Sequence, residues 1–220
     1  MSYDDELNFL KKIISVIYER MTNYADTFVE LRNNKINFKK KCVCDFLDDK
    51  NTYIDSELLD NVVVFKEIVK KENRILLIDE ELELEIDKRI KNERSIYNKL
   101  LKYQAKNGKG KYPIIKCLND LLGYRFTLQS DIDLNNVYNI LNEYVYENFN
   151  GKIKIVDASK NDYKAIHLYF KIDNFCFPCE LQIWLNKDHK NNKKSHKIYK
   201  QDYLNWEEYE SELEKSRVVR

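Results

Sequence analysis

Leu82-Glu-Leu-Glu-Ile-Asp87 alternates apolar and acidic side chains. That is the period of a strand with one face in a core and the other in water. The stretch decides the fold because the chain reads differently on either side of it. Downstream, four more segments read as strands: Tyr124-Arg-Phe-Thr-Leu128, Lys152-Ile-Lys-Ile-Val156, Ala165-Ile-His-Leu-Tyr-Phe-Lys-Ile172, and Phe175 to Leu185. Helical patterns interleave with them. One runs from Ser95, placed to cap it, to Tyr103. A short helix starts at Pro113 and ends near Gly123. A third, Ile132 to Phe149, carries Leu134, Val137, Tyr138, Leu141 and Val145 on one face. Upstream of residue 80 no strand pattern is strong. Residues 5–32 and 55–72 repeat apolar positions at helical spacing, and Asn33 to Asn51 is a polar, lysine-rich connection with at most a short helix. A charged helix over 197–216 closes the chain. Five strands interleaved with helices predict an α/β or α+β sheet domain with a helical N-terminal layer.

Composition narrows the chemistry. The 38 Lys+Arg and 37 Asp+Glu leave a net charge of +1 in 220 residues. Binding nucleic acid by bulk phosphate neutralisation needs a more basic chain, so any phosphate chemistry comes from a local cluster. Hydrophobic residues make up 43%, enough for a real core despite the charge. No apolar run approaches the ~20 residues that cross a bilayer, and the acidic start Met1-Ser-Tyr-Asp-Asp-Glu6 lacks a signal-peptide pattern. A cytoplasmic protein with no membrane association is expected, its 5 Cys as thiols. The 4 Gly supply neither a Rossmann fingerprint nor a Walker loop.

Three features carry possible chemistry. In Arg89-Ile-Lys-Asn-Glu-Arg-Ser-Ile-Tyr-Asn-Lys99, Arg89 and Lys91 are two apart on a strand and face the same side, and Ser95 and Lys99 share a face of the next helix. A strand end running into a helix start suits a polyphosphate. A solvated basic stretch paired with the acidic 79–87 segment explains the same residues. In Asn119-Asp-Leu-Leu-Gly-Tyr-Arg125, Asp120 precedes a tight turn at Gly123 and Arg125 starts a strand. Such an Asp holds Mg²⁺ by one oxygen, or simply caps the turn. In Cys179-Glu-Leu-Gln-Ile-Trp184, Glu180 and Gln182 leave one sheet face. A carboxylate there among aliphatic neighbours is costly unless it binds something. An edge strand with a solvated face is the plainer alternative. His167 alone reads as a structural histidine. Together, two carboxylates, several cations and planar groups make the parts of metal-assisted phosphoryl transfer.

At these residues the sequence resembles the RelA/SpoT alarmone synthetase domain. Arg89, Lys91, Ser95 and Lys99 complete R-x-K-x-x-x-S-x-x-x-K. Asp120, Leu121, Gly123 and Arg125 complete D-L-x-G-x-R. Asn161-Asp-Tyr-Lys-Ala-Ile-His167 stands for N-G-Y-x-x-x-H, Glu180-Leu-Gln-Ile183 for E-x-Q-I, and His196, Tyr199 and Lys200 for H-x-x-Y-K. The resemblance covers about residues 80–200. It implies an α+β (mixed α/β) fold: a nucleotidyltransferase-like mixed five-stranded sheet flanked by helices, with a helical N-terminal layer. Residues 1–80 would form that layer, 81–200 the synthetase domain, and 201–220 a C-terminal helix suited to oligomerisation. The implied reaction moves pyrophosphate from ATP to the ribose 3′-OH of GDP or GTP, giving (p)ppGpp, with Mg²⁺ as cofactor. Arg89 and Arg125 would sandwich adenine, and Lys91, Ser95 and Lys99 would hold the ATP phosphates. Asp120 and Glu180 would bind the metal, Glu180 alternatively serving as base, with Gln182 in support. Tyr163 would stack on the acceptor guanine, with His167, Lys160, Asn161 and Lys164 nearby. A homo-oligomer, in many relatives a tetramer, is implied.

The departures fall on the acceptor side. Asp162 replaces the usual Gly, and Trp184-Leu185 replaces Arg-Thr after E-x-Q-I. GMP therefore stays open as acceptor. So does a tRNA 3′ end, as in toxin-like relatives, with Lys187 to Lys200 as a basic patch. A non-catalytic nucleotide-binding module is the alternative outside enzymes. Cys42, Cys44, Cys176 and Cys179 read as ordinary thiols in preference to a zinc site.

Overall fold

The computed structural model describes residues 2–47, 53–71, 78–79, 84–105 and 108–195. The closing helix expected over 197–216, with His196, Tyr199 and Lys200, lies outside the described residues. Two long helices come first, α1 (Tyr3–Leu31) and α2 (Ser56–Lys70), with a 3-10 turn at Val43–Asp45 between them. Then follow β1 (Ile78–Asp79), β2 (Leu84–Ile90), α3 (Glu93–Ala105), α4 (Ile114–Cys117), β3 (Leu122–Leu128), α5 (Leu134–Asn148), β4 (Ile153–Asp157), β5 (Ile166–Phe170) and β6 (Cys179–Leu185). The fold is a mixed α+β sheet flanked by helices, with a helical N-terminal layer. The five expected strands are present, and two-residue β1 adds an edge that the sequence pattern did not show.

Strand order is β1-β2-β3-β6-β5-β4. Among the described residues, only β3 and β6 pair in parallel; β2–β3, β5–β6 and β4–β5 are antiparallel. β6 is therefore central, and the edge-strand alternative for Glu180 and Gln182 is corrected. Its seven residues are all buried, as expected of a strand covered on both faces.

α1 starts at a reciprocal cap: Ser2 Oγ accepts from Asp5 N at 3.2 Å, and Asp5 Oδ2 accepts from Ser2 N at 3.1 Å. Leu7, Leu10, Ile14, Ile17, Met21 and Phe28 repeat at helical spacing on its buried face. Buried Glu6 accepts from Gln129 N at 2.6 Å and Ser130 N at 3.0 Å. This ties the helical layer to the chain leaving β3. Phe28, Phe65 and Phe177 meet near-edgewise, and Phe38 stacks on Phe177 at 4.3 Å. β3 and β5 alternate buried and half-buried residues. One face of the sheet is thus committed to the core, and the other carries Arg125, His167 and Tyr169. Among the described residues, no helix is long and apolar enough to cross a membrane.

Three local readings change. Asn92 caps α3, its Oδ1 accepting from Ser95 N at 2.8 Å. Ser95 lies inside the first turn, since α3 begins at Glu93, and its own N–H is the one that Asn92 satisfies. Gly123 sits inside β3, opposite Arg89 and Glu180. The turn comes earlier, over 118–121, after a helix that ends at Cys117. β2 stops at Ile90, so Lys91 lies just past the strand, its N–H donating to Leu121 O at 2.9 Å.

Candidate functional site

Register explains why the chemistry converges. Gly123 faces Glu180 and Arg125 faces Gln182 across the parallel pair. His167 faces Gln182 and Tyr169 faces Glu180 across β5–β6. Arg89 faces Gly123, and Asp87 faces Arg125, across β2–β3. Residues two apart on a strand share a face, so four strands supply one wall. The start of α3, with Ser95, and the turn before β3, with Asp120, close a cleft of about 450 Å³ over it.

The cleft has an ionic half. Asp120 Oδ2 accepts from Lys91 Nζ at 2.6 Å and Oδ1 from Lys99 Nζ at 2.9 Å. Lys99 also donates to Asn119 Oδ1 at 3.1 Å. Both ammonium groups are largely buried. Burial pushes the Asp120 carboxyl up, but Lys99 and Lys91 outweigh it and hold the group well below the usual carboxylate range. Burial pulls Lys91 down, opposed by Asp120 and reinforced by Lys99 and Arg89. Ser95 and Arg89 stand on the same wall.

The other half is a hydrogen-bonded chain. Arg125 Nη2 donates to Gln182 Oε1 at 3.1 Å, and Gln182 Nε2 donates to Glu180 Oε2 at 2.7 Å. Glu180 Oε1 is 3.0 Å from His167 Nδ1. His167 Nε2 is 2.8 Å from Tyr163 Oη. Burial raises Glu180, but His167 and Gln182 prevail and keep it below its ordinary value. Burial pushes Tyr163 up to about 12, and Tyr169 is raised by burial and by the Glu180 charge.

Arg89, Lys91, Ser95, Asp120, Arg125, Tyr163, His167, Glu180 and Gln182 all line the cleft. Lys99 reaches Asp120 from α3 without forming part of the wall. Lys160, Asn161 and Lys164 are not on it either. They belong to the turn that delivers Tyr163, where Asn161 adopts φ 54° and Lys160 bridges Tyr163. Lys164 lines a separate cavity of about 330 Å³. The arrangement offers two carboxylates with hard oxygen donors, cations for phosphates, and flat groups for bases. Among the described residues, no three His, Cys, Asp or Glu side chains cluster as a protein-only metal site. Cys176 and Cys179 are buried while Cys42 and Cys44 are partly exposed.

Sequence reasoning missed Asp87, Lys88 and Tyr124 on the wall, Tyr169 beside Glu180, and Asn192. Strand period would have found two of these, since Asp87 is two before Arg89 and Tyr169 two after His167. Asn192, fully buried, clasps the Lys164 backbone from both sides. It accepts from Lys164 N at 2.9 Å and donates to Lys164 O at 2.8 Å. No local pattern announces such a contact.

A family model described as a region found in RelA / SpoT proteins matches residues 88–203. Among solved structures, the chain is similar to small alarmone synthetase 2 from Bacillus subtilis at 20% identity, covering 74% of this chain and 84% of that one, TM-score 0.34. It is also similar to small alarmone synthetase 1 from Bacillus subtilis, solved bound to AMPCPP, at 16% identity, covering 72% and 83%, TM-score 0.29. No curated protein matches it.

Proposed function

Since the chain belongs to the RelA/SpoT family, we propose that it is a (p)ppGpp synthetase: it transfers pyrophosphate from ATP to the ribose 3′-OH of GDP or GTP, releasing AMP. The observation that carries this reading is the convergence of residues from four separate motifs on one cleft. Arg125 has one guanidinium face against Trp184 at 3.8 Å. It lines the cleft together with Arg89 from β2, and the two take adenine between them. Lys91 and Lys99, with Ser95, take the ATP phosphates. They already meet a carboxylate, so each exchanges one anion for another when the nucleotide arrives.

Mg²⁺ fits this donor set. Asp120 and Glu180 line the same cleft, and an ion held by one or two carboxylates completes its shell from phosphate oxygens. When bound, the ion neutralises charge developing on the transferred group and orients it. Glu180 is the group placed to accept the 3′-OH proton, since its hydrogen bonds keep it ionised. Gln182 fixes its rotamer at 2.7 Å. Tyr163 stacks on the acceptor base.

The test is turnover with labelled ATP and Mg²⁺, offering GMP, GDP, GTP and deacylated tRNA in parallel. Label on a guanine nucleotide is expected and names the acceptor. Label on tRNA alone, or ATP binding without transfer, replaces the proposal.

A further inference from the structure

Trp184 has no part in the reaction just described, yet it touches both ends of the hydrogen-bonded half of the cleft, Arg125 and Tyr163. It follows Glu180 and Gln182 at strand spacing and leaves β6 on their face, opposite Thr127 of β3. The indole is fully buried. On one side the Arg125 guanidinium lies 3.8 Å from the ring centre, a cation–π contact. On the other, Trp184 Nε1 donates to Tyr163 Oη at 3.3 Å, and the rings meet edge to face at 6.1 Å. Ala165 belongs to the same small buried cluster, where a short side chain leaves room for the indole.

The donor rules give this contact a direction. An indole nitrogen only donates. Tyr163 Oη accepts from it and also stands 2.8 Å from His167 Nε2. His167 Nδ1 in turn lies 3.0 Å from Glu180 Oε1. The other Glu180 oxygen takes the Gln182 amide, whose carbonyl takes Arg125. Arg125 returns to the Trp184 ring. The chain is a closed circuit, and Trp184 is the member that joins its two ends.

We propose that Trp184 is a positioning residue that couples the two substrate subsites. It holds Arg125 for the donor base and Tyr163 for the acceptor base, so ordering either subsite orders the other. This rests on reading Arg125 and Tyr163 as donor- and acceptor-binding groups.

Two substitutions separate its contacts. Trp184→Phe keeps an aromatic face beneath Arg125 and removes the N–H. Trp184→Leu removes both. In steady-state kinetics with ATP and GDP, Trp184→Phe should raise the acceptor KM about fivefold, with the ATP KM within about twofold. Trp184→Leu should raise both, the ATP KM about tenfold. In a Tyr163→Phe background, Trp184→Phe should add nothing, because the shared hydrogen bond is already gone. By calorimetry, a non-hydrolysable ATP analogue should tighten GDP binding to the wild type and not to Trp184→Leu.

Equal shifts of both KM values by Trp184→Phe, or an additive cycle, overturn the inference. If Trp184→Leu does not fold, Trp184→Phe and the cycle decide alone. A wild type that binds and transfers nucleotides, with an additive cycle, leaves the synthetase reading standing without the coupling. A wild type that neither binds nor transfers them removes both.

Discussion

The two halves of the cleft sit on one sheet face and are built on opposite principles. Around Asp120 the contacts are ionic: two buried ammonium groups share one carboxylate at 2.6 and 2.9 Å. Around Glu180 a single carboxylate meets no lysine: it is held by the Gln182 amide at 2.7 Å and the His167 ring at 3.0 Å, with Tyr163 and Trp184 behind His167. The ionic half re-pairs readily, because a flexible Lys trades one anion for another with little change of geometry. The second half is preset: its members are tied into one circuit, and moving one disturbs the next. A nucleophile needs its base in one place, whereas phosphates arriving with a metal need charges that can follow them.

The strongest way to break this comparison is to remove each carboxylate. Asp120→Ala and Glu180→Ala should each reduce kcat by about a hundredfold or more, read with labelled ATP. Near-normal rates in either would end the metal assignment. Their stabilities should differ. Asp120→Ala strands Lys91 and Lys99 and should cost about 2–3 kcal/mol in chemical denaturation. Glu180→Ala, which strands no buried lysine, should cost less; the reverse order would contradict the division.

Nucleotide affinity sharpens it next. Tyr163→Ala should raise the acceptor KM by about tenfold or more, with the ATP KM changed much less, and Arg89→Ala should do the opposite. Equal effects on both would place Tyr163 outside the acceptor subsite. A smaller effect is expected at Asn192, which clasps the Lys164 backbone and touches no part of the cleft wall. Asn192→Ala should raise the acceptor KM about threefold by loosening the turn that carries Tyr163. An ATP-side effect of the same size would point to general loosening.

The smallest signal is in acid. The Asp120 carboxyl is depressed in the folded protein, so its contribution is complete above the unfolded value near pH ~4 and drains as pH falls below it. The melting-temperature gap between wild type and Asp120→Asn should therefore narrow on acidification. A gap that widens would mean the lysines do not hold the carboxylate.

Much of this was legible beforehand because it is local. Alternation over Leu82–Asp87 announced β2, and the 3.6-residue period announced α1, α2 and α5. What failed was the fine placement of boundaries. Ser95 and Asn92 both suit a cap, and the helix starts at Glu93, which leaves Asn92 to cap it. Gly123 suggests a turn to anyone reading residues singly. In the structure it is a strand residue, with Arg89 and Glu180 as its cross-strand neighbours.

By itself the sequence determined the element types, the helical layer before the sheet, and the motif series that places the chain in its family. Those follow from spacing along the chain, which sets the face a side chain takes. The tertiary structure alone decided that β6 lies between β3 and β5, that Lys91 and Lys99 converge on Asp120, and that Trp184 joins Arg125 to Tyr163. These depend on register between segments tens of residues apart. Period tells a side chain which way to face, and only the backbone ladder tells it whom it meets.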